Sequence, residues 1–178
     1  MESDKVSLPC GKMINMNQNI KEIVPGRGLG QLLFGMSRDE VMAIAGKPDE
    51  VENVPGFEEE VNDELESWHY DELEYSLVFD ADYDWKLVSI AVSDPFFTLF
   101  GESVVGMSKE DCLEFLEKHH VPVTNVEDVS DDENPGMELV EAESEGLMIW
   151  FADDEAIEIQ FLPEVEDDGE TLKWPEKE

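Results

Sequence analysis

Two apolar stripes and two sets of alternating runs organise this chain. At Val41, Met42, Ile44 and Ala45, and again at Cys112, Leu113, Phe115 and Leu116, apolar residues recur at the spacing of one helix face. Each stripe is introduced by a serine with an acidic residue three positions on, Ser37 with Glu40 and Ser108 with Asp111. This is the capping-box pattern that starts a helix, weaker in the second case because Asp reaches back less well than Glu. Gly46 and Pro48 stop the first helix, and Pro122 lies beyond the second. Helices of about three turns do not stand alone in water, so each stripe must pack on something larger.

The alternating runs predict that larger element. Leu73, Tyr75, Leu77 and Phe79 alternate with other residues, a turn is expected at 81–84, and residues 87–92 complete a hairpin. Later, 147–151, a turn at 152–155, and Ile157, Ile159 and Phe161 alternating with Glu158 and Gln160 predict a second hairpin. Weaker strands are expected at 51–54 and 66–70, and at 121–126 and 137–142. Each half thus reads as a helix followed by about four antiparallel strands.

The halves echo one another at a fixed distance. Residues 30–41 and 101–112 align at a displacement of 71, with two glycines, Met and Ser identical and Arg38 matched by Lys109; Phe79 and Phe151 keep nearly the same period into the strands. The expected fold is therefore α+β, built as two tandem repeats, each a short helical segment on a roughly four-stranded antiparallel sheet. The boundaries that follow are a polar lead-in at 1–22, repeats at 23–95 and 96–163, and an acidic tail at 164–178 with Trp174 as its apolar anchor.

Charge narrows the functional classes. Of 178 residues, 46 are acidic and 11 basic, a formal net charge of −35, while a hydrophobic content of 41% suffices for a core. Such a field repels nucleic acid and anionic membranes and suits a basic protein or a cation. The first residues lack the apolar run of a signal peptide, and no stretch is long enough to span a bilayer, which sets a cytoplasmic location as the expectation. Of the two cysteines, Cys112 replaces Val41 on the core stripe and is expected to be a buried free thiol.

Candidate chemistry is thin. The glycine-rich turn at 26–30 lacks the Lys and Ser/Thr of a phosphate loop. Asp80, Asp82 and Asp84 have the spacing that opens a calcium loop, yet Trp85 stands where the loop needs glycine and Ala91 where it needs a bidentate Glu, so a structural turn is expected. His119 and His120 end a helix, where the dipole already explains them, and His69 lies in the other half. No nucleophile elbow or distinctive carboxylate pair is present. The expectation is a protein that is not an enzyme, with no cofactor and no resident metal.

The distribution of charge is more telling than its sum. No Lys or Arg occurs between Lys47 and Lys86 or between Lys118 and Lys173, so the sheet portion of each half carries acid alone. The acidic loops concentrate Glu58, Glu59, Glu60, Asp63 and Glu64 in the first half and Asp131, Asp132 and Glu133 in the second. With Phe57 and Trp85 as aromatic anchors, these are the expected partner-binding residues. A merely solvated or salt-adapted surface is the competing explanation.

Gly35, Met36, Ser37, Val41, Gly46, Pro48, Asp49, Trp68 and Tyr70 together resemble the signature of the small outer-membrane-assembly lipoproteins of the SmpA/OmlA type. Two such units in tandem resemble the β-lactamase inhibitory proteins, and the likeness runs over roughly 29–163. It thins in the second half, where Glu117 replaces the helix-ending glycine, and neither a lipobox nor the disulfides of the secreted inhibitors are found. The resemblance implies a protein-binding scaffold. Joined to the charge, it makes the leading expectation an immunity-type inhibitor that occludes a basic toxin, for example a nuclease. The alternatives are an assembly module whose acidity serves solubility, and a cation-binding protein.

Overall fold

The computed structural model describes residues 20–55, 64–72, 74–168 and 172–174. They form a mixed α/β fold with two helices, dominated by sheet. Strands β1 (Glu22–Val24), β2 (Gly28–Leu29) and β3 (Leu32–Leu33) lead into α1 (Arg38–Ala45); β4 (Glu50–Pro55), β5 (Glu64–Tyr70), β6 (Tyr75–Asp80) and β7 (Lys86–Val92) follow. After β8 (Thr98–Leu99) come α2 (Lys109–Lys118), β9 (Asn125–Asp128), β10 (Met137–Ala142), β11 (Leu147–Ala152) and β12 (Glu155–Phe161). Two short strands close the chain, β13 (Glu164–Val165) and β14 (Leu172–Lys173).

Both helices begin where the sequence predicts. Ser37 accepts the Glu40 N–H while Glu40 reaches back to the Ser37 N–H, a complete capping box. Ser108 accepts the Asp111 N–H at 3.1 Å. At the C-terminus of α1, Gly46 has φ +79 and its N–H returns to Met42, so the predicted stop is a glycine cap. Gly35 and Gly106, one residue before the Met-Ser pairs, have φ +91 and +102, a region an L side chain enters only under strain.

Eight strands form one antiparallel sheet in the order β4-β5-β6-β7-β12-β11-β10-β9. Its centre is the β7–β12 pair, in which Ala91 stands opposite Gln160. The register shifts between Val78 and Phe79 on β6 and, 72 residues later, between Trp150 and Phe151 on β11. These irregularities re-aim the ends of two hairpins without breaking the alternation that buries one face.

That buried face carries Trp68, Tyr70, Leu77, Phe79, Leu87, Ile90, Ile149, Phe151 and Phe161, all below one-tenth exposed. Against it pack Val41 of α1 and Cys112, Phe115 and Leu116 of α2, in a single core. Tyr70 and Tyr75 stack at 4.6 Å, and the Tyr70 hydroxyl donates to the Gly46 carbonyl at 2.8 Å, tying the end of α1 to the sheet. Full burial of a Phe or Leu side chain stabilises by about 1.5–3 kcal/mol, which is how helices of eight and ten residues persist. The Cys112 thiol is free and buried as expected, and burial pushes its pKa up to about 12.

The four-stranded sheet β3-β2-β1-β8 was not legible in advance. It includes a parallel pair, Ile23 opposite Leu99, that joins residues 76 apart. Ile20 and Ile23 are 1% exposed, so the described end of the expected polar lead-in belongs to the core. At the other terminus β13 pairs with β14 and Trp174 packs on the core, with Lys86 above its ring.

Candidate partner-binding face

The alternation that buries one face of the large sheet fixes what the other presents. One cross-strand row runs from Glu50 through His69, Ser76 and Ala91 to Gln160, then Met148, Glu141 and Asn125, one residue per strand. A neighbouring row sets Glu158, Trp150, Leu139 and Glu127 side by side. Leu139 is only 7% exposed yet stands outside the core cluster, because it lies on this opposite face.

Side-chain hydrogen bonds on this face run between strands of the sheet itself. His69 Nδ1 and Ser76 Oγ lie 2.8 Å apart, and His69 Nε2 lies 3.2 Å from Glu52. Gln160 donates to Ser89 at 3.1 Å, and Asn125 to Glu141 at 3.0 Å. Small residues occupy the middle: Ser67 and Ser89 are buried between larger neighbours, and Ser76, Ala91 and Ser93 adjoin them. A depression of about 550 Å³ is lined by the small residues Ser76, Ala91 and Ser93 together with Glu50, Glu52, Asp71, Glu74 and Glu158.

Charge is unevenly distributed over the eight strands. Of the eight strands, only β7 contains a Lys or Arg, and Lys86 is its first residue. The cations that open the helices turn the other way. Arg38 donates to Glu66 at 3.1 Å, and Lys109 donates to Glu138 at 2.5 Å, both across the helix–sheet layer. That hydrogen bond raises the Lys109 pKa above its ordinary value. Among the described residues the rows of this face carry mainly carboxylates, with His69 beside Glu52 and with Lys173 at the cavity that Glu141 and Met148 line.

Two groups on this face lack adequate partners. Trp150 Nε1 is buried with no acceptor within reach. Glu158, directly opposite Trp150, is half-buried; burial raises its pKa, and a 3.5 Å hydrogen bond from Ser93 offsets this only in part. Sequence reasoning missed both residues, although alternation within 155–161 already separates Glu158 from Ile159 and Phe161.

Of the residues expected to bind a partner, Phe57, Glu58, Glu59, Glu60 and Asp63 lie outside the described residues. Glu64 is exposed at the start of β5. Asp131, Asp132 and Glu133 are exposed in the β9–β10 loop, where Asp131 Oδ1 accepts the N–H groups of Glu133 at 2.9 Å and Asn134 at 2.6 Å. β5 runs parallel to β7 and β10 to β12, while β7 and β12 are antiparallel, so Glu64 at the start of β5 and the β9–β10 loop lie at diagonally opposite corners of the sheet. The fold does not bring them together; the open face lies between them. Trp85 shares the Glu64 end but is half-buried under the Arg38 guanidinium, 4.6 Å from its ring.

The other candidates resolve into local structure. Asp80 accepts the Asp82 N–H at 2.9 Å and Asp84 is left-handed, so the Asp80–Asp84 segment is a turn between strands. His119 stacks on Phe100 at 4.6 Å in the helical layer, apart from His69 on the sheet's open face. Among the described residues no group of three or more His, Cys, Asp or Glu has metal-holding geometry, and no helix is long and apolar enough to cross a membrane.

No family model and no curated protein matches the chain. Among solved structures, an extracellular protein containing a SCP domain from Bacillus anthracis str. Ames is similar at 13% identity, with a TM-score of 0.45 over 73% of this chain. The chain spans 44% of that protein's length.

Proposed function

We propose that this protein is a cytoplasmic, non-enzymatic inhibitor that captures a basic protein, in the manner of an immunity protein neutralising a toxin such as a nuclease. The observation that carries the reading is the distribution of charge: a sheet face whose depression is lined by Glu50, Glu52, Asp71, Glu74 and Glu158, with Arg38 and Lys109 turned to the helical side. Carboxylates there complement the Lys and Arg with which a nuclease holds phosphate. Their field steers encounter, and occlusion of the partner's site follows from the breadth of the sheet.

On this reading the chain is a tandem repeat resembling the β-lactamase inhibitory proteins, with the β4–β7 and β9–β12 strands as the two sheet units. The equivalent ion pairs Arg38–Glu66 and Lys109–Glu138, and the equivalent register shifts on β6 and β11, support that division. The acidic corners at Glu64 and at Asp131, Asp132 and Glu133 flank the interface and contribute chiefly to approach.

The test is capture of a basic partner from the source cell by the purified chain, co-expression with that partner where it is toxic, and stopped-flow association of the purified pair. Rescue of growth is expected. Reversal of Asp131, Asp132 and Glu133 to Lys should slow association by about tenfold at low salt and flatten its salt dependence. An association rate unchanged at both low and high salt would remove the electrostatic reading.

A further inference from the structure

Resting on that reading, we infer that the outer edge of β9 receives an extended basic segment of the partner as an added strand of the large sheet. β9 ends that sheet, with β10 as its neighbour. The Val129 N–H donates to the Met137 carbonyl at 2.9 Å, continuing the register that sets Glu127 opposite Leu139 and Asn125 opposite Glu141. Bonding alternates along an antiparallel ladder, so Asn125 and Glu127 turn their N–H and C=O groups to β10, and Val126 and Asp128 turn theirs outward. Among the described residues no backbone group bonds to those outward ones.

The side chains say what such a strand must look like. Every residue of β9 is exposed. Val126, 44% exposed, shares a face with buried Val140, whereas Asn125 and Glu127 share the open face with Glu141 and Leu139. An incoming antiparallel strand therefore sets an apolar side chain against Val126 and a basic one against Glu127, in strict alternation. Main-chain bonds give such a contact affinity, and the alternating side chains give it specificity.

Charge chooses the occupant. Glu127 and Asp128 in the strand are followed by exposed Asp131, Asp132 and Glu133 in the next loop, while Lys109 nearby is engaged with Glu138. Like charges directly opposite destabilise a strand pair, so this edge turns away a second copy of itself and accepts a basic strand. A net charge of −35 acts in the same direction. The sheet's other edge strand, β4, ends in Pro55, which has no N–H to offer; β9 contains no proline.

The test uses synthetic peptides of about eight residues as probes of the intact chain, one alternating Lys-Val and one of the same composition in Lys-Lys-Val-Val order. The alternating peptide is expected to bind about tenfold more tightly and, at saturation, to protect the Val126 and Asp128 amides from hydrogen exchange in two-dimensional NMR. N-methylation of its valines should abolish that protection, and N-methylation of its lysines should not, because only residues opposite Val126 and Asp128 turn their N–H toward β9. Glu127→Lys should weaken binding about fivefold, and Glu114→Lys, the same change of charge on the exposed side of α2, by less than about twofold. Equal binding of the two sequences with the Val126 and Asp128 amides still exchanging freely, or equal losses in Glu127→Lys and Glu114→Lys, would overturn the edge site while leaving acidic capture standing. Failure of both peptides to bind at low salt would overturn the two together.

Discussion

Arg38 of α1 and Glu66 of β5 meet at 3.1 Å across the helix–sheet layer, and Glu66 uses its other oxygen to accept Trp68 Nε1. One carboxylate thus fastens a helix start to the sheet and satisfies a core indole. Lys109 and Glu138 stand in the same relation on α2 and β10, but without an indole to satisfy.

Replacing Glu66 with Ala leaves a partly buried guanidinium and a core N–H without their acceptor. A loss of about 1–3 kcal/mol in urea unfolding is expected, because a stranded buried donor costs its desolvation. Lys109→Ala should cost clearly less than Glu66→Ala in the same assay.

Ser37 satisfies the first turn of a helix only eight residues long. Ser37→Ala removes half of a reciprocal capping box, and a destabilisation of about 1 kcal/mol is expected by denaturant titration. Ser37→Asp should restore most of that loss, which separates capping from any effect of side-chain volume.

Glu158 should make stability depend on pH with a definite sign. Burial raises its pKa, so the folded chain holds the proton more tightly than the unfolded one. Stability from this group is present below the ordinary carboxylate range and is lost as pH rises through the raised folded value. Glu158→Gln should therefore melt higher than the parent near neutral pH, and the two melting temperatures should converge in acid.

The elements that carry local signals were legible. Ser37 and Ser108 mark helix starts because a cap needs only neighbouring residues, and 75–80 and 147–152 are strands because alternation is a period-two property of the chain itself. The β1–β8 pairing was hidden because it joins stretches of two and three residues far apart in sequence, too short to show a period. Trp68 and Tyr70, aromatics of the kind that also anchor interfaces, are core side chains, since the large sheet turns their face inward.

The chain by itself determined where the two helices and the two main hairpins lie, the echo between its halves and the absence of cations from most strands of the large sheet, because each is written in neighbouring residues. Which face of the sheet is buried, that Glu64 and the Asp131–Glu133 loop lie at opposite corners, and that Trp150 stands opposite Glu158 with its indole N–H unpaired were decided only by the tertiary structure. Those relations depend on register and strand order, which arise when distant segments compete for one core.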